Sequence, residues 1–133
     1  MKKFAIVEKH FQYKGHDCIC VFNRFGFRCG YVSTTLHCDY NKVDVACHCG
    51  LTFGDALPEE YAPKEAFYLG FDCGHICDGV DLELAYKYGL INEHERDEAM
   101  EAFHYLKGQP VRSLDYVVNE CKKIADQLEE LEK

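Results

Sequence analysis

Apolar and polar positions change rhythm midway along this chain. Through the first half, aromatic and β-branched residues come in short blocks separated by turn residues, which reads as β structure. Phe4 to Tyr13 and His16 to Arg24 form two such blocks, with a turn at Lys14-Gly15 between them. In the second block Cys18, Cys20 and Phe22 alternate with their neighbours, the pattern of a half-buried strand. A turn over Asn23 to Gly26 leads to a third strand, FRCGYVSTT (27–35). Val43 to Phe53 is expected as a fourth and Ala66 to Phe71 as a fifth. GDALPEEYAPKE between them reads as a surface loop.

After residue 80 the period lengthens. Asp81 caps a short helix, DLELAYKY, that Gly89 ends. Asn92 with Glu95 makes a capping-box start for a helix running to Lys107, stopped by Gly108 and Pro110. Ser113 opens the last helix, in which Leu114, Val117, Val118, Cys121, Ile124, Ala125, Leu128 and Leu131 form one apolar stripe. The closing EELEK is expected to fray. Strands over 1–71 followed by helices over 81–131 predict a single α+β domain spanning 1–133, an antiparallel sheet packed against C-terminal helices.

Charge narrows the partners. Residues 1–50 hold seven Lys/Arg against four Asp/Glu, and the rest holds eight against nineteen. An acidic second half argues against direct nucleic-acid binding and suits a basic protein surface. No apolar run is long enough to span a membrane, and MKKFAIVEKHF lacks the marks of a signal peptide. A cytoplasmic protein is therefore expected, with its nine cysteines reduced. The amphipathic last helix leaves a homodimer open.

The densest chemistry lies in FYLGFDCGHICDGVD (67–81), where Asp72, Cys73, His75, Cys77 and Asp78 stand among three glycines. C-x-C occurs at Cys18/Cys20 and Cys47/Cys49, and C-x3-C at Cys73/Cys77. No C-x2-C pair of the usual zinc kind is present, so these thiols read first as core residues. No metal is predicted; were one bound, His48, Asp72 and His75 offer a mixed His and carboxylate set. A metal-dependent or cysteine hydrolase using His48, Asp72, His75 and Asp78 is one alternative, with Cys73 beside His75 as a nucleophile pair. Against it, Asp72 and Asp78 can simply cap turns. There is no nucleophile-elbow serine, phosphate loop or dinucleotide fingerprint, and no cofactor is specified. The other alternative is binding without chemistry. Glycines admit a ligand to the backbone, Thr52, Asp72, His75 and Asp78 offer polar groups, and Tyr31, Phe53, Tyr68 and Phe71 offer stacking faces. Arg24 and Arg28 would meet phosphate.

Three stretches, FNRFGFRCGYV (22–32), CHCGLTFGD (47–55) and FYLGFDCGHICDGVD, together resemble a family of small bacteriophage and prophage proteins. That family carries an R-C-G-Y-V strand, a V-H-G-G-L-T-[YF] strand, a G-F-D-C-A-H-x-x-D segment and a last helix like YVVNECKKIADQL. Here Cys49 replaces a glycine of the second motif and Gly74 the alanine of the third. His37 in TLHCDYNK is the nearest counterpart of a histidine beside a Pro-Tyr-Gly turn. The resemblance implies a phage accessory protein inside a bacterial host, without specifying an activity. A counter-defence effector that binds a host protein or sequesters a small nucleotide-like ligand is the expectation. Its binding residues would be His48, Thr52, Asp72, His75, Asp78, Arg28 and His37.

Overall fold

The computed structural model describes residues 3–37, 39–62 and 65–133. Five antiparallel strands, β1 (Ala5–Tyr13), β2 (His16–Asn23), β3 (Arg28–Thr34), β4 (Phe53–Ala56) and β5 (Phe67–Asp72), form one sheet in the order β1-β2-β3-β5-β4. Helices α1 (Leu82–Lys87), α2 (Glu93–Ala102) and α3 (Leu114–Leu131) follow. This is the α+β arrangement the sequence predicts. Among the described residues no helix is long and apolar enough to cross a membrane.

The β1–β2 turn falls where expected because Lys14 and Gly15 both take left-handed backbone, φ 52° and 83°, the geometry that suits the strands' twist. All three helix starts are capped as read. The Asp81 side chain accepts from the Leu84 amide, Ser113 accepts from Tyr116, and Asn92 and Glu95 form a reciprocal capping box. The helix expected to reach Lys107 stops earlier. Its last turn tightens into a single 3-10 turn at His104–Leu106, which buries Leu106.

Helix α3 lies across the sheet. Val117, Val118, Cys121, Ile124, Ala125 and Leu128 meet Cys18, Cys20, Val32, Leu69, Phe71 and Cys73 in the main core. The helix sits close because Gly30 has no side chain: a Cβ there would lie 2.5 Å from the Phe71 ring and 2.8 Å from Cys121 Sγ. Leu114 is half-buried, and Leu131 is exposed rather than part of the buried stripe. The reverse face carries Ile19, Val21, Cys29 and Tyr68 under Ala62, with Leu57 and Tyr61 packed alongside. Hence β2 is covered on both faces, not half-buried as its alternation implies. Phe22, at its end, packs against Leu82, Ala85, Leu90 and Ile91. Pro63 and Lys64 of the expected surface loop lie outside the described residues.

The fourth strand departs most from expectation. Only Phe53–Ala56 pairs with β5, and residues 43–52 are not strand. Cys49 and Gly50 turn left-handed, φ 55° and 84°, and Gly50 N–H donates to Cys47 O at 3.0 Å, so the extended chain breaks there. The segment is tied to α3 instead. Ala46 N–H donates to Gln127 Oε1 (2.7 Å), and Gln127 Nε2 donates back to Ala46 O (2.8 Å). One side-chain amide supplies the pair of bonds a neighbouring strand would have made.

The C-terminal end is anchored rather than frayed. Glu132 Oε2 accepts from the Thr35 amide (3.0 Å), the Thr35 hydroxyl (2.8 Å) and the Thr34 hydroxyl (3.4 Å), and Oε1 lies 3.2 Å from His16 Nε2. Burial raises this carboxyl's pKa, but the Thr35 bonds and His16 together bring it below the ordinary range. A depressed folded pKa means the tether is complete above the ordinary glutamate value of about 4.3 and is lost as pH falls through the lower folded value. Glu132→Gln should therefore cost about 1.5 kcal/mol near neutrality, the scale of a charged hydrogen bond. In denaturant titrations over a pH series, the gap between parent and variant should close at the acid end.

Candidate functional site

Four segments meet beyond the Asp72 end of β5. The 47–50 turn brings His48, the 74–79 turn brings His75 and Asp78, the stretch before α3 brings Arg112, and the first turn of α3 brings Tyr116. Asp78 is the hub and is fully buried, at 1% exposure. Its Oδ2 accepts from His48 Nε2 (3.0 Å) and from the His75 amide (3.0 Å), and its Oδ1 accepts from Arg112 Nε (2.8 Å). Burial works against its ionisation. The bonds from Arg112, His48 and the His75 amide overcome that and hold the carboxyl below the usual carboxylate range.

An ionised Asp78 fixes the proton of neutral His48 on Nε2. Nδ1, 2.7 Å from the Tyr116 hydroxyl, is then the acceptor. Burial raises the Tyr116 pKa, so the phenol keeps its proton to donate. The Arg112 guanidinium lies 5.2 Å from the Tyr116 ring centre and closes this side. The result is a continuous chain, Tyr116–His48–Asp78–Arg112, linking α3 to both turns.

Asp72 makes a second, more exposed knot. Its Oδ2 accepts from Thr52 Oγ1 (3.1 Å) and its Oδ1 from the Gly74 amide (3.0 Å), the turn-capping role weighed from sequence. His75 Nε2 lies 3.2 Å from Asp72 Oδ1, out of line for a hydrogen bond. It is the one buried side-chain nitrogen or oxygen among the described residues without a hydrogen-bond partner. The His48 and His75 rings stand 6.0 Å apart.

The structure thus brings His48, Thr52, Asp72, His75 and Asp78 to one end of the sheet. Arg28 and His37 are not among them, and Arg28 touches the site only through the backbone of Arg112. Arg28 is buried, its Nε and Nη2 on the Glu8 carboxylate (2.6 and 3.1 Å), its Nη1 on Arg112 O (3.0 Å), and its guanidinium against Phe22. A phosphate would have to displace all of these. Arg24 is paired with Glu95 at 2.9 Å. His37 packs on Phe67 at the opposite end of β5. Of the expected stacking faces, Tyr68 and Phe71 are core, and Tyr31 and Phe53 stack edge-on with each other at 5.2 Å on the reverse face.

The cysteines also sort differently. Cys73 is 1% exposed and faces the main core, with burial pushing its thiol well above the ordinary range, so it forms no nucleophile pair with His75. Cys18 and Cys20 are core, as read. Cys47 and Cys49 do not share a strand face; Cys47 packs on the core while Cys49 is exposed. Cys49 Sγ lies 3.9 Å from Cys77 Sγ, a pairing that neither C-x-C nor C-x3-C spacing indicates. Arg112 and Tyr116 are the other site residues without a signal in sequence, because their partners lie 34 and 68 positions away.

A further hollow adjoins His75. Phe25 and Phe27 from the β2–β3 turn, Gly74, His75 and Ile76, and Phe103 with Tyr105 enclose about 210 Å³. Gly74 permits this, since a Cβ there would sit 2.6 Å from the Phe27 ring. A second hollow of about 470 Å³ shares Val80, Phe103 and Leu106 with it and carries His104 and Lys107. Comparisons with protein-family models, curated proteins and solved structures return no match for this chain.

Proposed function

We propose that this protein is a phage accessory protein that sequesters a small nucleotide-like ligand in the cleft beside His75, without turnover, as a counter-defence effector in the host cytoplasm. The observation that supports this reading is the cleft itself. Aromatic side chains from two separate segments, Phe25 and Phe27 on one and Phe103 and Tyr105 on the other, line a space of about 210 Å³ together with His75. Such a mixture of stacking faces and few polar groups suits a planar heterocycle. The adjoining hollow, with His104 and Lys107, suits a phosphate attached to it.

The test is mass spectrometry of small molecules released from protein purified out of a bacterial lysate, followed by calorimetric titration with whatever nucleotide is recovered. A nucleotide recovered unmodified is the expected result. Tyr105→Ala removes a largely exposed ring and should weaken binding about 5- to 150-fold, the span of one base–aromatic stack. Recovery as a hydrolysed product would favour the competing hydrolase built on His48, Asp72, His75 and Asp78. Failure of every common nucleotide and nucleoside to bind would overturn sequestration.

A further inference from the structure

The geometry points to a zinc site of the Cys2His type, formed by His48, Cys49 and Cys77 and separate from the aromatic cleft. Among the described residues, this is the one set of three histidine, cysteine or carboxylate side chains whose donor atoms all lie within 4.8 Å of one another. Zinc–sulfur bonds of about 2.3 Å at tetrahedral angles place two thiolates about 3.8 Å apart. Cys49 and Cys77 already hold their sulfurs 3.9 Å apart, far beyond the roughly 2.05 Å of a disulfide.

The surroundings fit a metal as well as the donors do. A zinc-bound histidine usually donates its other ring N–H to a carboxylate, which fixes the tautomer and the ring plane. His48 Nε2 makes that bond to Asp78, which the His75 amide and Arg112 hold in place. Coordination through Nδ1 would keep that bond and exchange the hydrogen bond with Tyr116 for the metal bond. Each thiol ionises on binding and releases its proton. Two thiolates balance the dication, and the Asp78–Arg112 pair adds no net charge. Soft sulfur with imidazole selects zinc over magnesium or calcium. Both thiols are exposed, so the fourth position opens to solvent, as in zinc sites that exchange a water or a substrate.

The backbone at Cys49 is strained. Cys49 holds φ 55°, a conformation that carries a cost for any residue with a Cβ and that glycine adopts freely. Lys14 holds a similar φ of 52° in the plain β1–β2 turn, so the conformation alone marks no site. At Cys49 it supplies a clean variant, because Cys49→Gly removes the ligand and relieves the backbone together.

The full chain, reduced with a phosphine and stripped by a chelator, is titrated with Co²⁺ and then Zn²⁺. One equivalent of Co²⁺ should produce thiolate charge-transfer absorption and the intense visible bands of a tetrahedral ion, both bleached by Zn²⁺. Cys49→Gly and Cys77→Ser should lose the charge-transfer band while melting no lower than the parent for Cys49→Gly. Their Zn²⁺ affinity should fall by more than the about 10- to 100-fold that an outer-shell change brings. Cys47→Ala, in the same turn, should keep the spectrum. A weak octahedral spectrum in the parent, bands that survive in Cys49→Gly, or a Cys49–Cys77 disulfide resistant to the reductant would each overturn the site. None of these outcomes bears on nucleotide binding at Tyr105, so the two readings fail separately.

Discussion

Asp78→Ala should lower unfolding stability by about 3–5 kcal/mol, the largest loss expected from any single change at this end of the sheet. Removing one member of a buried ion pair leaves its partner uncompensated, and that penalty exceeds the worth of the pair itself. Here three donors lose their acceptor together: Arg112 Nε, His48 Nε2 and the His75 amide. Arg112 is one-quarter exposed and can recover some hydration, whereas His48 is 8% exposed and cannot. The variant should therefore lose more from the 47–50 turn than from the 110–113 stretch. Chemical denaturation measures the total. Hydrogen exchange should show the Gly50 and Asp78 amides, which close the two turns, gaining exchange before α3 does. Asp78→Asn keeps the shape and one acceptor oxygen, and should recover part of the loss. Equal stability of Asp78→Ala and the parent would mean that the hub carries no energy.

Gly79→Ala is expected to cost about 3 kcal/mol, the upper end of what an extra methyl does in a packed site. A Cβ at residue 79 would lie 2.2 Å from Gln109 O, and a backbone oxygen cannot move aside as a side chain does. Gly79 N–H also donates to Pro110 O at 2.8 Å, so the methyl would pry apart the contact that holds the two segments together. Asp78 and Arg112 flank this junction in the chain, and their 2.8 Å bond should lengthen with it. Thermal melts measure the cost. Gly15→Ala is the useful comparison, because nothing lies within 4 Å of a Cβ there and only its left-handed φ of 83° opposes the change. A smaller loss at residue 79 than at residue 15 would show that the 79–110 junction is slack.

What the sequence made legible divides along physical lines. The β1–β2 turn and the caps at Asp81, Asn92 and Ser113 are local: a side chain or a glycine meets backbone only a few residues away. The last helix announced its buried face because six of its apolar residues meet one surface. Residues 43–53 misled for a definite reason. Val43, Val45, Cys47 and Leu51 alternate as in a strand, yet they pack on the main core as an irregular segment. A period of two records which side chains are buried and says nothing about which backbone they pair with. The site was half legible for the same cause. Asp72, His75 and Asp78 were visible as polar groups following the expected fifth strand, and His48 as a polar group within the expected fourth. Arg112, Tyr116 and the Cys49–Cys77 pair depend on segments joined only by the fold, where spacing along the chain carries no information.

The amide of Gln127 has a mechanical consequence. It grips Ala46 from both sides, and Tyr116, on the same helix, grips His48. The 43–50 segment is therefore cargo of α3. His75 instead belongs to the turn that continues β5. The 6.0 Å gap between the two imidazoles is a seam between a helix-borne body and a sheet-borne one, bridged by Asp78. Any small slide of α3 along the sheet would be read out as a change in that gap.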